Sequence, residues 1–450
     1  MNVSRGFSRI PPGMLPVPFF FYGPADERIE HETESGRRRA SFAVMNRVAI
    51  TGIGVISTLG NDTDTVSRAL YRGRSGIVSD PERLRRGFSS SLTGVVKDFD
   101  PSAWLNRKQL KTMPDFAVMA YAASMEAVRI SGLDPDDLRD DRTGLVFGSD
   151  SSCLAALEQV ELLRERGETA LIGSGLVFRS MTSCVTMNLN TLLGTRGACW
   201  TISSACSSGG HAVGQAADLI ALGRQDRVLC GGAQEINWES MCSFDGLGAF
   251  SARLDQPEAA SRPFDRARDG LVPSGGAAAV LLENYDLARR RGARILGEVA
   301  GYGFSSDGES LSVPSRGGLA RAMTAALHAA GLTPDRIDYI CAHATSTPAG
   351  DRAEAENILD VFGPAKPCVS STKSMTGHEL WMSGASQVVY ATLMARDGFI
   401  APSINFEEPD EISAGLNIAA SVIDRPPRTV LCNAAGFGGT NSCLALRFGT

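Results

Sequence analysis

The stretch Thr201-Ile202-Ser203-Ser204-Ala205-Cys206-Ser207-Ser208-Gly209-Gly210 decides how this chain is read. A short apolar run at 198–202 leads into small residues, and an amphipathic pattern follows from His211 to Leu222. The pattern predicts a buried strand, a sharp turn and a helix. A cysteine on such a turn stands at the end of a sheet and at a helix N-terminus, where the dipole and free N–H groups favour a thiolate. The flanking serine, alanine and glycine residues leave room for a substrate. Taken alone, Cys206 fits better the blander reading of one more buried thiol, since cysteine is among the most buried residue types.

Working outward, β-like runs at 48–53, 143–148 and 227–231 alternate with a helical pattern at 116–131. After a run at 277–283 and a polar helix at 285–291 the theme restarts. Strands are expected at 295–303, 337–342, 368–370, 430–434 and 442–447, with helices at 318–330 and 351–362. Such alternation implies an α/β fold with sheets covered by helices. Two similar halves, 45–293 and 294–450, suggest a pseudo-duplication, although no residue identity displays the repeat. Gly52-Ile53-Gly54 lacks the third glycine of a dinucleotide-binding turn.

The chain has 450 residues, 43% hydrophobic and 21% charged, which suits a globular protein of two α/β units or one large fused one. A formal net charge of −6 gives no global signal for nucleic acid or an anionic membrane, so any basic docking patch is local. Ten cysteines without a C-x-x-C pair read as reduced, mostly buried thiols of a cytoplasmic protein. Residues 1–44 mix a broken aromatic run with acidic residues, which fits neither a membrane span nor a signal or transit peptide. That extension is expected to be disordered or to precede a natural start at Met45.

Three further loops carry candidate chemistry. His343-Ala344-Thr345-Ser346-Thr347-Pro348-Ala349-Gly350-Asp351 leaves a strand tip into hydroxyl residues. Lys373-Ser374-Met375-Thr376-Gly377-His378 can bring a lysine and a histidine to one site. Gly436-Phe437-Gly438-Gly439-Thr440-Asn441 can turn backbone N–H groups towards a ligand, as an oxyanion hole requires. Singly, these are also compatible with a polar loop, a chance composition and a tight hairpin.

In order and spacing the four segments resemble the β-ketoacyl-acyl-carrier-protein synthase family of the thiolase superfamily, closest to its discrete type II elongating branch. The resemblance runs from about Arg47 to the C-terminus and includes Arg262-Pro263-Phe264-Asp265-Arg266-Ala267-Arg268-Asp269-Gly270. It implies a thiolase-like α/β fold, two pseudo-duplicated halves with mixed sheets layered between helices. It also implies that Cys206 is the nucleophile, that His343 and His378 hold the malonyl thioester carbonyl during decarboxylation, and that Lys373 pairs with Glu354. The N–H groups of Cys206 and Phe437 would form the oxyanion hole, with Phe437 also the acyl gate. Thr345 and Thr347 would bind the pantetheine arm, and Arg107, Lys108 and Lys111 would dock acyl carrier protein. No metal or cofactor is expected beyond the phosphopantetheine that the carrier brings. A homodimer, or a heterodimer with a related subunit, is expected, with neither nucleic acid nor membrane as partner.

The chain departs from the family pattern at Ala344, at Glu379-Leu380-Trp381-Met382-Ser383-Gly384-Ala385, where a Leu-Gly-Ala-Ala-Gly-type run is usual, and at Ala434-Ala435. We expect Trp381, Met382, Ala434 and Ala435 to shape the acyl pocket for a flat, unsaturated or aryl-capped chain. Glu379 is expected to anchor its loop. The rival readings are a catalytically silent chain-length subunit, which would lack the cysteine, and a Zn²⁺ site of Cys206, His343 and His378, which lacks a short-spaced ligand pair.

Overall fold

Val48–Ile56 is buried along its whole length, and the architecture is laid out around it. The structure, a computed structural model, describes residues 45–449, so the expected extension at 1–44 lies outside the described residues. Its strands in chain order are β1 (Val48–Ile56), β2 (Ile77–Ser79), β3 (Leu92–Gly94), β4 (Thr143–Gly148), β5 (Cys199–Ile202), β6 (Arg227–Gln234) and β7 (Gly276–Asn284). There follow β8 (Gly297–Ser306), β9 (Tyr339–Cys341), β10 (Cys368–Ser370), β11 (Asn417–Ile418), β12 (Thr429–Gly436) and β13 (Thr440–Arg447). β2 and β3 pair only with each other, and the rest form one sheet in the order β11-β10-β9-β12-β13-β8-β1-β7-β6-β4-β5.

That order contains the same unit twice. In the first half β5, β4 and β6 are parallel, and β7 and β1 then run antiparallel. In the second, β10, β9 and β12 are parallel, and β13 and β8 run antiparallel. The sheets are therefore mixed, and Ala49↔Glu298 and Ile50↔Gly297 join them edge to edge. The helices Ser208–Ala221 and Ser383–Asp397 share one apolar core with both sheet halves. Asp115–Ser131 covers the outer face of the first half, and Gly318–Ala330 that of the second. The layers are thus helix, sheet, helix pair, sheet, helix.

The duplication has a residue-level trace after all. On β1, a Cβ at Gly52 would lie 2.0 Å from the Ala127 carbonyl oxygen, and one at Gly54 1.9 Å from that of Ala123. On β8, the equivalents are Gly301, 2.4 Å from Ala326 O, and Gly303, 2.1 Å from Ala322 O. Each Gly-x-Gly admits an alanine-rich helix into contact with the first strand of its half, which is the work of Gly52-Ile53-Gly54 here. At the centre, a Cβ at Gly384 would lie 2.3 Å from Gly210 N, so glycine also sets the crossing of the two inner helices.

One strand differs from expectation. Residues 198–202 were expected to be buried, but β5 is the sheet's outer edge, with Cys199 exposed and Trp200 40% exposed. Its apolar residues are exposed because no further strand among the described residues covers that edge.

Replacing Gly54 with alanine should destabilise the protein by about 1–3 kcal/mol through overpacking, read as a lower urea midpoint. Gly246→Ala, where a Cβ meets nothing within 4 Å, should not lower it.

Candidate active site

The site loops leave the carboxyl ends of the parallel strands β5, β9 and β10, the kind of strand end at which α/β sheets place their ligand sites. Cys206 follows β5 at the start of the Ser208–Ala221 helix; His378 follows β10 ahead of the equivalent Ser383–Asp397 helix. His343 follows β9, and the Phe437 turn joins β12 to β13. Cys206, His343, His378, Thr345, Thr347, Ala435 and Phe437 line one cavity of about 410 Å³. Four segments distant in sequence therefore meet in space.

Three of the four cavity loops contain a non-glycine residue in the left-handed region: Ala205 (φ 46°), Ser346 (φ 73°) and Leu380 (φ 45°). Such a conformation costs about 1–3 kcal/mol and persists only where neighbours hold it. Ser346 N donates to Asp351 Oδ1 at 3.1 Å, and its hydroxyl oxygen accepts from Arg262 N at 3.0 Å. Asp351 Oδ2 accepts from the N–H of Phe264, itself at φ 66°. The Arg262-Pro263-Phe264-Asp265 segment is thus the brace of the His343 loop. Burial pushes the Asp351 carboxyl up to about 7, against its N–H donors and Arg268.

The histidine rings meet edge to face, with centroids 5.2 Å apart. Burial first, then the Lys373 cation, holds both well below the usual histidine range, so both are neutral near pH 7. His378 N donates to Val272 O at 2.7 Å, and Ser383 Oγ lies 3.3 Å from His378 Nδ1. Glu354 accepts from the N–H groups of His343 (2.9 Å) and Ala344 (2.6 Å) and from Asn433 Nδ2 (3.1 Å).

That corrects the expected Lys373–Glu354 pair. The Glu354 oxygens accept from those donors, and Lys373 Nζ, fully buried, has no hydrogen-bond partner among the described residues. Burial lowers the Lys373 pKa, and the acidic groups around it oppose this from a distance. What links Lys373 to Glu354 is charge at a distance and not a direct ion pair.

Cys206 is buried, and burial pushes its thiol up to about 12. Lys373 and the N–H groups of Cys206 and Phe437 pull the other way without winning. Burial outweighs these stabilising groups in the resting site. Phe437 is 41% exposed and stacks on Phe244 at 5.8 Å. The Thr345 and Thr347 hydroxyls lie 3.1 Å apart on the cavity wall.

Of the four residues expected at the acyl pocket, one lines the cavity, one packs in the apolar cluster around Cys206, and two lie elsewhere. Trp381 packs in one apolar cluster with Cys206, Phe88, Met241, Phe250 and Leu271. Ala435 lines the cavity. Met382, however, belongs to the central core, and Ala434 packs on Gly210 and Gly384 at the inner helix crossing. Both are buried, and neither lines the cavity. Glu379 anchors its loop, as expected: it accepts from the hydroxyls of Tyr390 (2.5 Å) and Ser386 (2.6 Å). Arg107 and Lys108 are exposed on the short helix Arg107–Leu110, with Lys111 at its C-cap. Sequence reasoning missed Asp351, Asn433 and Ser383 as braces. The quoted loop contained Asp351, but nothing in its spacing told which backbone groups it would meet.

With a thiol this far raised, alkylation of Cys206 by iodoacetamide should climb steadily between about pH 6 and 9 without levelling. A plateau below pH 8 would mean a resting thiolate.

The beta-ketoacyl synthase N-terminal domain model matches residues 45–288, and the C-terminal domain model residues 296–407. The chain is 41% identical over 406 residues to 3-oxoacyl-acyl-carrier-protein synthase 1 of Escherichia coli (strain K12), covering 90% of this chain and 99% of that one. A beta-ketoacyl synthase from Burkholderia phymatum STM815 superposes with a TM-score of 0.86 at 34% identity, covering 90% of this chain and 100% of that one. A type II polyketide ketosynthase, solved with its acyl-carrier protein and a bound hexaketide, superposes with a TM-score of 0.81 at 28% identity, with the same coverage. On both its sequence and its fold, the chain belongs to the beta-ketoacyl synthase family of the thiolase superfamily.

Proposed function

We propose that the chain catalyses decarboxylative Claisen condensation in elongation of the fatty-acid type. An acyl group moves from a carrier-protein thioester to the Cys206 sulfur, releasing the carrier thiol. Malonyl-acyl carrier protein then loses CO₂, and the resulting enolate carbon attacks the acyl-cysteine carbonyl. The cysteine sulfur leaves, giving β-ketoacyl-carrier protein. The observation that carries this reading is the convergence of Cys206, His343 and His378 on one cavity.

Neutral His343 and His378 donate N–H hydrogen bonds to the malonyl thioester oxygen, where charge develops as CO₂ departs. The N–H groups of Cys206 and Phe437 receive the oxyanion on the acyl carbon. Lys373 keeps the imidazoles neutral, and Glu354 holds the His343 loop. Thr345 and Thr347 contact the pantetheine arm as it crosses the cavity. A silent chain-length subunit is not favoured, since it would lack the nucleophile that this chain keeps.

Acyl carrier protein is the protein substrate, docking on Arg107, Lys108 and Lys111; none of the three makes an ion pair among the described residues. The exposed β5 edge, with Cys199 and Trp200 open to solvent, supports pairing with a second copy or a related subunit. No cofactor is needed beyond the carrier's phosphopantetheine, and the site of action is the cytoplasm. No described helix is long and apolar enough to cross a membrane. Trp381 beside Cys206 gives the acyl wall a flat aromatic surface that suits an unsaturated or aryl-capped chain.

Intact-mass analysis tests the reading. Wild type should gain an acyl adduct from acyl-carrier protein, and Cys206→Ala should gain none. His343→Ala and His378→Ala should each lose about 10²–10³-fold in CO₂ release while still acquiring the adduct. An adduct on Cys206→Ala, or wild-type CO₂ release by either histidine variant, would refute it. Conjugated and saturated primers of equal length should differ by about 10–200-fold in favour of the conjugated one. A preference for the saturated primer would remove the aromatic-wall reading alone.

A further inference from the structure

Thr440, at the base of the gate turn, collects three side chains. Its Oγ1 lies 2.7 Å from Ser204 Oγ, 3.1 Å from Ser207 Oγ and 3.0 Å from His211 Nε2. The other ring nitrogen, His211 Nδ1, lies 2.6 Å from the Tyr302 hydroxyl. Tyr302 comes from β8 in the second half, and Gly214 makes room for it: a Cβ there would lie 2.4 Å from the ring. His211 is buried, and burial lowers its pKa to about 4, so the ring is neutral, with one N–H and one lone pair. Burial likewise keeps the Tyr302 phenol protonated. The result is a directed chain of hydrogen bonds from β8, through His211 and Thr440, to the turn that presents Cys206.

That turn is under strain and in close contact with the gate. Ala205 sits at φ 46°, and Ser208 Oγ accepts from Ser204 N (2.8 Å) and donates to Ala205 O (2.6 Å). A Cβ at Gly436 would lie 2.9 Å from Ser204 O and 3.0 Å from Cys206 N, so the gate strand lies against the elbow backbone. Thr440 is therefore the side-chain tie between the segments that supply the Cys206 and Phe437 N–H groups. The two histidines of the malonyl site are braced by other groups: Glu354, Asp351 and Ser383.

We propose that His211 is a positioning residue for acyl transfer: through Thr440 it holds the nucleophile turn against the gate loop and sets the spacing of the two oxyanion N–H groups. This rests on the condensing reading above. It makes the two half-reactions separable by substitutions that touch neither the nucleophile nor the malonyl histidines.

The test compares Thr440→Val, which keeps shape and loses the hydroxyl, with Thr440→Ser, which keeps the hydroxyl, and with His211→Phe and Tyr302→Phe. Single-turnover adduct formation from acyl-carrier protein and CO₂ release from malonyl-carrier protein without primer are measured on each. Thr440→Val and His211→Phe should slow acyl transfer about 10- to 100-fold at unchanged apparent KM, as expected for a misplaced reacting group. Their CO₂ release should stay within about 2-fold of wild type, and Thr440→Ser should restore acyl transfer. Should those two variants fail to fold, Tyr302→Phe should still show the split, to a smaller extent. Unchanged acyl transfer in the folded variants, or equal loss in both half-reactions, would overturn the proposal. A wild type that forms no adduct would instead overturn the condensing reading itself.

Discussion

Burial of the reacting groups is the constraint on which the rest of this site depends. Removal from water pushes each titratable group towards its neutral form: the Cys206 thiol up, the His343, His378 and His211 imidazoles down, and the Asp351 and Glu354 carboxyls up. Neutral imidazoles are the form needed to donate to a developing enolate while leaving no charge to be solvated. The same burial obliges every carboxylate oxygen to find donors, and Glu354 and Asp351 find them in the loop backbone that they brace. Stability follows the same logic in opposite directions. His211, about 4 folded against 6.5 unfolded, withdraws stability as pH falls through that window. Asp351, about 7 folded against 3.8, withdraws it as pH rises between those values.

The duplicated fold explains why a nucleophile and a histidine face one another. Cys206 and His378 stand at equivalent places, each between a parallel strand and an inner helix, and the glycines at the helix crossing bring those two places together. β9, which precedes His343, corresponds to β4, after which the first half carries Asp150. On the proposed reading, one architecture supplies two chemistries, an acyl acceptor from the first half and hydrogen-bond donors from the second. Strain at Ala205, Ser346 and Leu380 marks the three points where the chain is bent to aim these groups.

Much of this was legible in the sequence. The strands at 143–148 and 368–370 and the helix at 318–330 fall where apolar runs and glycine stops placed them. The four loops quoted from the sequence do form the cavity. Burial of whole strands did not read as well: β5 has the composition of a core strand but lies at an edge, because sheet order is set by contacts distant in sequence. Side-chain direction was the other blind spot. Met382 and Ala434 sit beside site residues in sequence yet point into packing, and the lysine expected to pair with Glu354 found its place already taken by backbone N–H groups.

Condensation by the proposed route requires that burial keep His343 and His378 uncharged. The direct measurement is the ¹⁵N chemical shift of histidine side chains in protein labelled at its five histidines, with His343 and His378 assigned by substitution. At about pH 6, below the ordinary imidazole midpoint, each should still show one protonated and one bare ring nitrogen. Two equivalent imidazolium nitrogens, titrating with a midpoint near the ordinary value, would contradict it.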